Sequence, residues 1–395
     1  MLTTIHSTEV IFKLNSFEKE RVLLERLVNI DSRSGQISGV QKVIEIVKDE
    51  LLDMGFVTSL IPNPTHASAD LLVGVLPGCL PYQVAFVSHA DTVLGPTDEH
   101  FFYESTSESK LFGPGVADNK GGIAVALRGL RQYLSHSTLR PSLLFVCSPN
   151  EEVGSLGFHS LFEKFGNESA IVLGFEPALK NGDLIKGRHG NRWYRIKIKG
   201  IPFHAGRFGE PSLNAAHEAA YKTVRLSQLN DVKNRIKVNV GTVSGGSGHF
   251  NIVCGDVELL VDVRFPCHKI RDQLHDKIIE ILETPHVYCE QTNAQCEVSY
   301  TLDDDCPSMG FEHDSNGPVL DYLNSIYLAE AKASDISFTG GAADINYFSM
   351  PSNFCLDGLG PIAGGMHTTE EYILADSLYT RSNALTYFLE SLGER

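Results

Sequence analysis

Seven residues of this chain combine a reactive side chain with a telling position: His89, Asp91, Asp118, Glu151, Glu152, Glu176 and His367. Each follows a short apolar run or sits in a glycine-rich loop. Imidazole and carboxylate without thiolate suit a hard-to-borderline divalent metal. His89 and Asp91 lie two apart, so at an extended strand end they face the same way. Asp91 can then act as the acceptor that orients the His89 ring. Glu151 and Glu152 are adjacent and project to different sides. One of them can bind metal while the other works as a general base on the attacking water. Asp118 lies in GPGVADNKGG (113–122), where glycines let the backbone turn sharply and approach closely. A carboxylate presented there can bridge two ions.

The same loop invites a nucleotide reading, and its details oppose it. GPGVAD lacks the third glycine of GxGxxG, and no acidic residue ends the next strand at the right distance. A Walker loop needs Gly-Lys before Ser or Thr, whereas Lys120 stands between Asn119 and Gly121.

The elements that must position these residues are legible. Residues 18–31 and 39–54 carry apolar residues at helical spacing, and Gly55 fits a helix C-cap. DLLVGVL (70–76), QVAFVSH (83–89), SLLFVCS (142–148) and AIVLGFE (170–176) are short apolar runs of the kind buried on both faces of a sheet. Helices are expected at GGIAVALRGLRQYL and at 155–165, which gives α/β layering. In open α/β sheets ligands bind outside the carboxyl ends of the strands. QVAFVSHAD, LLFVCSPNEE and VLGFE would thus deliver His89, Glu151/Glu152 and Glu176 to one edge.

Near residue 187 the texture changes. RWYRIKIKG (192–200) alternates with period two, as a strand with one wet face does. A helix (212–229), strands at 237–243 and 257–265, a helix (268–283) and a strand at 296–301 follow. This β-α-β-β-α-β order predicts a ferredoxin-like unit inserted into the first domain. The division expected is 1–187 and 303–395 for the α/β domain and 188–302 for the insertion. Beyond it, 317–331 and 373–392 read as helices, and ISFTG and SNFCLDG as strands.

Bulk properties narrow the classes. The chain has 395 residues, which favours two domains. Its formal charge of −16 argues against nucleic acid, which needs a basic face. No apolar run reaches the ~18 residues of a membrane span. The start, MLTTIHSTEVIFKLNSFEKE, has no leader-like apolar region. Eight cysteines without a CxxC pair fit a reduced, cytoplasmic setting, with Cys147 a small core residue.

SHADTV (88–93), GPGVADNKGG, PNEEVGS (149–155), FEP (175–177), FHAGRF (203–208), GTVSGG with ELLVDVR, TGGAADINYF (339–348) and GGMHTTEEY (364–372) occur in that order. In these pieces the chain resembles the co-catalytic zinc hydrolases that include carboxypeptidase G, aminoacylase, acetylornithine deacetylase and succinyl-diaminopimelate desuccinylase. TGGAAD and Glu176 agree best with carboxypeptidase G. The resemblance implies two zinc ions per subunit, with cobalt or manganese as possible substitutes. His89, Asp118 and Glu176 would hold one, and Asp118, Glu152 and His367 the other, with a cis Asp118–Asn119 bond. Glu151 would be the general base, with Asp91 catalytic through the His89 ring. His204 would reach across a homodimer to the oxyanion, and Arg264, Asn251 and Gly341 would contact substrate. Glu176, where related aminopeptidases tend to have Asp, favours release of a free amino acid from a peptide or an N-acyl amino acid. The insertion would be the lid or dimerisation domain.

Two positions depart from that pattern. Phe203 replaces the serine of the usual SHAG. Where carboxypeptidase G has an arginine before the proline matching Pro307, this chain has Cys306, preceded by Asp303, Asp304 and Asp305. The aspartates either greet a cationic substrate, such as an N-acyl ornithine or lysine, or form a solvated loop. A deacylase of a basic amino acid and an inert binding module of the same fold are the rival readings.

Overall fold

The computed structural model describes residues 19–97, 99–105, 107–207, 209–310 and 317–393. Most of the opening stretch read above for a leader, and Phe208 of FHAGRF, lie outside the described residues. The chain runs through α1 (19–28), α2 (Ile37–Asp53), β1 (Val57–Ile61), β2 (Leu71–Leu76), β3 (Gln83–His89), β4 (Tyr103–Ser105), β5 (Lys110–Phe112), α3 (Lys120–His136) and β6 (Ser142–Ser148). A short 3-10 turn, Glu151–Val153, precedes α4 (His159–Glu168), β7 (Ile171–Gly174), β8 (Leu184–Arg188), β9 (Gly190–Lys199), α5 (Ala215–Ser227), β10 (Lys237–Gly245), β11 (Asp256–Phe265), α6 (His268–Glu283) and β12 (Glu297–Cys306). The rest is α7 (Gly317–Glu330), β13 (Ile336–Thr339), α8 (Ile345–Phe348), β14 (Phe354–Leu356), β15 (Ala363–Gly364), β16 (Tyr372–Leu374) and α9 (Ala375–Gly393).

Two compact units result. One takes the described residues up to Gly187, those of the stretch ending at Phe338, and those from Ala343 onward. Its six-stranded sheet has the order β1-β2-β6-β3-β7-β14. The β6-β3, β3-β7 and β7-β14 pairs are parallel, and β1-β2 and β2-β6 antiparallel. β3 and β6 are buried along almost their whole length, as two-sided helix cover requires. α2 turns Val40, Val43, Ile44, Val47 and Leu51 inward at three- and four-residue spacing and stops at Gly55, whose φ of 89° suits the left-handed C-cap position. α9 closes against α3 where Gly129 leaves room for Leu385. β14 brings the chain's last segment back to the sheet beside β7. The helix expected over 155–165 starts instead at His159, because Gly154, Ser155 and Gly157 all take positive φ (88°, 48° and 97°) and form a turn. No helix among the described residues is long and apolar enough to cross a membrane.

The other unit begins at Arg188 and includes Thr339–Ala342. Its four strands lie in the order β10-β11-β9-β12, all antiparallel. With α5 and α6 this is the ferredoxin-like β-α-β-β-α-β arrangement. Alternate residues of β9 and β11 (Tyr194, Ile196, Ile198; Val257, Leu259, Val261, Val263) form its core with Leu226, Leu274 and Ile278 of the helices.

The acidic run is not a solvated loop. Asp303, Asp304 and Asp305 continue β12 beside β9, so a boundary after residue 302 would cut a strand. Arg192 grips Asp305 through Nε and Nη2 (2.9 and 2.6 Å), and Arg195 grips Asp303 (3.0 and 2.7 Å). Asn191 donates its amide to Asp304. Cross-strand pairing of opposite charges makes three successive aspartates tolerable in a strand.

Candidate active site

Three parallel neighbours, β6, β3 and β7, end at one edge, with His89 opposite Ser148 and Val87 opposite Gly174. His89 closes β3, Glu176 lies just past β7, and the Glu151–Val153 turn follows β6. Convergence of these residues therefore follows from register.

Asp118 stands at the centre. Its Oδ1 is 2.9 Å from His89 Nε2, and its Oδ2 is 3.2 Å from His367 Nε2. Glu176 Oε1 lies 3.5 Å from the same His89 nitrogen, and Glu152 Oε2 lies 3.5 Å from the same His367 nitrogen. One carboxylate thus joins two half-sites, each made of one histidine and one glutamate. The Asp118–Asn119 peptide bond is cis.

Asp91 does more than orient His89. His89 Nδ1 lies 3.0 Å from the Asp91 backbone carbonyl and 3.4 Å from its carboxylate Oδ1, so the carbonyl is the nearer acceptor. The carboxylate is engaged elsewhere. It accepts the N–H groups of Glu151 (2.9 Å) and Glu152 (3.2 Å) and the Ser34 hydroxyl (2.7 Å). Asp91 therefore sets the turn that carries both glutamates.

The GPGVADNKGG loop does cradle an anion, but the anion is internal. Gly115, at φ 68°, lets backbone N–H groups converge, and Gly115, Ala117 and Asp118 donate to the carboxylate of Glu371 (2.9, 2.8 and 3.0 Å). Asn119 donates its amide to the Phe175 carbonyl at 3.0 Å. Lys120 is buried and donates to the Ile30 carbonyl at 3.0 Å, so it ties the start of α3 to the end of α1. A Cβ on Gly122 would lie 1.9 Å from the Phe175 carbonyl oxygen, which leaves glycine the residue that lets α3 approach β7.

The charges are mutually dependent. Burial presses the His89 imidazole down, yet Asp118, Asp91 and Glu176 carry it well above its ordinary value. Burial opposes ionisation of Asp118, but His367 and His89 hold it well below the usual carboxylate range. Its hydrogen bond to Asp118 raises His367 to about 9. Glu151 is pushed well above a normal carboxyl by burial, Glu176, Asp344 and Asp118. Glu152 is pushed up to about 8 by burial and Asp118, and Glu176 is raised by the same causes. Carboxylates held this close call for a cation. Ligand atoms of His89, Asp118 and Glu152 lie within 4.8 Å of one another, and the buried Oε1 of Glu152 has no hydrogen-bond partner. The donor set and this orphaned oxygen fit a divalent metal.

The residues expected to touch substrate all belong to the second unit. His204 is exposed, with Nε2 3.3 Å from Asn251 Nδ2. Arg264 donates to Asp262 (3.0 Å) and to the Gly340 carbonyl (3.5 Å), and the Gly341 carbonyl accepts from Arg188 (3.2 Å). The sequence reading missed Glu371 and Asp344, although both lie inside motifs it quoted. Asp344, pushed up to about 7 by burial, accepts the Ser155 hydroxyl at 2.5 Å and so braces the segment after Glu152.

The family model described as Peptidase family M20/M25/M40 matches residues 85–391. Carboxypeptidase G2 of Pseudomonas sp. (strain RS-16) is 25% identical over 392 residues, spanning 97% of this chain and 92% of its own length. A succinyl-diaminopimelate desuccinylase of Nitrosococcus oceani is 26% identical over 340 residues, covering 80% of this chain and 85% of its own. Among solved structures, aminopeptidase PepT from Bacillus cereus ATCC 10987 aligns with a TM-score of 0.79 at 19% identity, over 95% of this chain and 98% of that one. At that identity the likeness speaks to the fold alone.

Proposed function

This chain belongs to peptidase family M20/M25/M40, and from that premise we propose that it is a dizinc hydrolase that cleaves an amide bond and releases a free amino acid from a peptide or an N-acyl amino acid. The observation that carries this reading is the sharing of Asp118 between His89 with Glu176 and His367 with Glu152. His89, Asp118 and Glu176 would hold one ion, and Asp118, Glu152 and His367 the other. Bound there, the metals would polarise the amide carbonyl and acidify water.

The chain's own groups supply the rest. Glu151 takes the proton of the attacking water on a carboxylate oxygen and passes it to the leaving amine nitrogen. Asp91 fixes its backbone. His204 is assigned to the oxyanion across a homodimer, and Arg264, Asn251 and Gly341 to the substrate.

The test is metal content and turnover on a panel of N-acyl amino acids and dipeptides, with Glu151→Ala beside the wild type. The variant should keep its zinc and lose about 10²- to 10⁴-fold in kcat. Full zinc with undiminished hydrolysis would remove Glu151 from its role. A zinc-replete wild type inert across the panel would leave a binding module instead. Full activity from a monomer in solution scattering would sink the trans role of His204.

A further inference from the structure

We infer that Glu371 is a positioning residue of this site: its carboxylate fills the backbone nest of the Asp118 loop and locks the bridging aspartate to the turn that carries His367. The inference rests on the metal reading above and adds a residue that touches neither substrate nor metal.

The placement follows from strand register. β16 pairs with β5 so that Tyr372 faces Phe112. The next pair along is Glu371 and Gly113, and Gly113 N–H donates to the Glu371 carbonyl at 3.3 Å. From there the side chain reaches under the loop. Oε2 accepts from Gly115, while Oε1 accepts from both Ala117 and Asp118. One residue thus receives four N–H groups from the six residues that lead to and include Asp118. Glu371 is only 3% exposed, so water does not compete for these donors.

Its other end is tied to His367. Glu371 N–H donates to the Thr368 carbonyl (3.3 Å), and Thr368 Oγ1 donates to the Gly365 carbonyl (2.7 Å), closing the turn around His367. Moving Glu371 would shift both ends of the His367–Asp118 contact. The chemistry also requires a carboxylate. Three donors converge on both oxygens, and only an acceptor-only group satisfies them all. Glutamine would set an N–H₂ donor against a backbone N–H. Aspartate keeps the charge but is one methylene too short to reach the nest.

The test compares wild type, Glu371→Gln and Glu371→Asp in three measurements. These are zinc affinity of the metal-free protein by chelator competition, kcat and KM at saturating zinc, and the thermal midpoint. Zinc uptake by the wild type tests the metal reading, and the variant-to-wild-type ratio tests Glu371. Both variants should fold, bind zinc about 10- to 100-fold more weakly and lose a similar factor in kcat. KM should stay within about 3-fold, as expected when substrate binding itself is untouched. A folded Glu371→Gln with wild-type zinc affinity and kcat would overturn the inference. So would a Glu371→Asp equal to wild type, because charge rather than placement would then suffice. Failure of both variants to fold where the wild type is stable would overturn it as well, by making Glu371 a support of the whole domain.

Discussion

Asp91 accepts the backbone N–H of Glu151 at 2.9 Å, so the expected general base hangs from the residue that also neighbours the His89 ring. The second oxygen of Asp91 accepts from Glu152 and Ser34. Asparagine offers one acceptor where two are needed and turns a donor toward an N–H. Asp91→Asn should therefore lower kcat by about 10- to 100-fold with little change in KM. Ser34→Ala, which removes one hydrogen bond, should cost about 1 kcal/mol at most. Steady-state kinetics on metal-replete protein checks both. An Asp91→Asn enzyme with wild-type kcat would mean the glutamate turn holds its shape without the carboxylate.

Gly122 sits in the first turn of α3, where a methyl group would collide with a carbonyl rather than with a movable side chain. Alanine gains up to about 1 kcal/mol in helix propensity over glycine. Overpacking costs about 1–3 kcal/mol, and here the obstacle is the backbone beside Glu176. The clash should win. Gly122→Ala should lower the urea midpoint and reduce activity, since α3 would carry Asp118 away from Glu176. A stabilised, fully active variant would show that the helix start can shift freely.

How much of this was legible in the sequence depended on which groups speak through side chains. The short apolar runs and period-two alternation reveal two kinds of sheet because burial selects side chains directly. His89, Glu151, Glu152 and Glu176 are found from the ends of those runs. Glu371 could not be found this way. Its partners are backbone N–H groups more than 250 residues distant, and a backbone group has no letter. The Asp303–Asp305 run misled for the opposite reason. Three charges in a row look like a loop until Arg192 and Arg195 are known to lie on the neighbouring strand. Spacing ties Asp91 to the histidine two residues away, while its carboxylate takes its donors from Ser34 and from the turn after β6.

Those arginines bear on substrate choice. Asp303 and Asp305 are each neutralised, so they offer no free negative charge to a cationic side chain. Asp305→Ala should destabilise the second unit by about 1.5–3 kcal/mol, as loss of a charged hydrogen-bonded pair does. The preference between basic and acidic amino acid substrates should not change. Chemical unfolding and the substrate panel read these separately. Selective loss of turnover on ornithine or lysine derivatives would return Asp305 to the substrate.

The second unit should also carry an acid-sensitive lock. Glu218 and Lys222, one turn apart on α5, are both almost fully buried, with Lys222 Nζ 2.9 Å from Glu218 Oε1. Glu218 Oε2 accepts the N–H groups of His286 (2.9 Å) and Val287 (2.8 Å), while Lys222 donates to the carbonyls of Ile281 (2.7 Å) and Thr284 at the end of α6. Burial pushes the Glu218 carboxyl up, but Lys222 and the two N–H donors outweigh it and leave it below its ordinary 4.5. A carboxyl depressed in the folded state stabilises above its unfolded value, and that stability is lost as pH falls through the folded one. At neutral pH Glu218→Gln should cost about 3–5 kcal/mol, because Lys222 is left as an uncompensated buried charge. The gap between wild type and variant should narrow as the pH drops below 4.5, since the wild-type carboxyl is then protonated too. Denaturant unfolding of both proteins across that range measures the gap directly, and taking the difference cancels the titrations they share. A gap that stays constant with pH would mean that Glu218 binds its proton equally well folded and unfolded, so the fold does not favour its charged form.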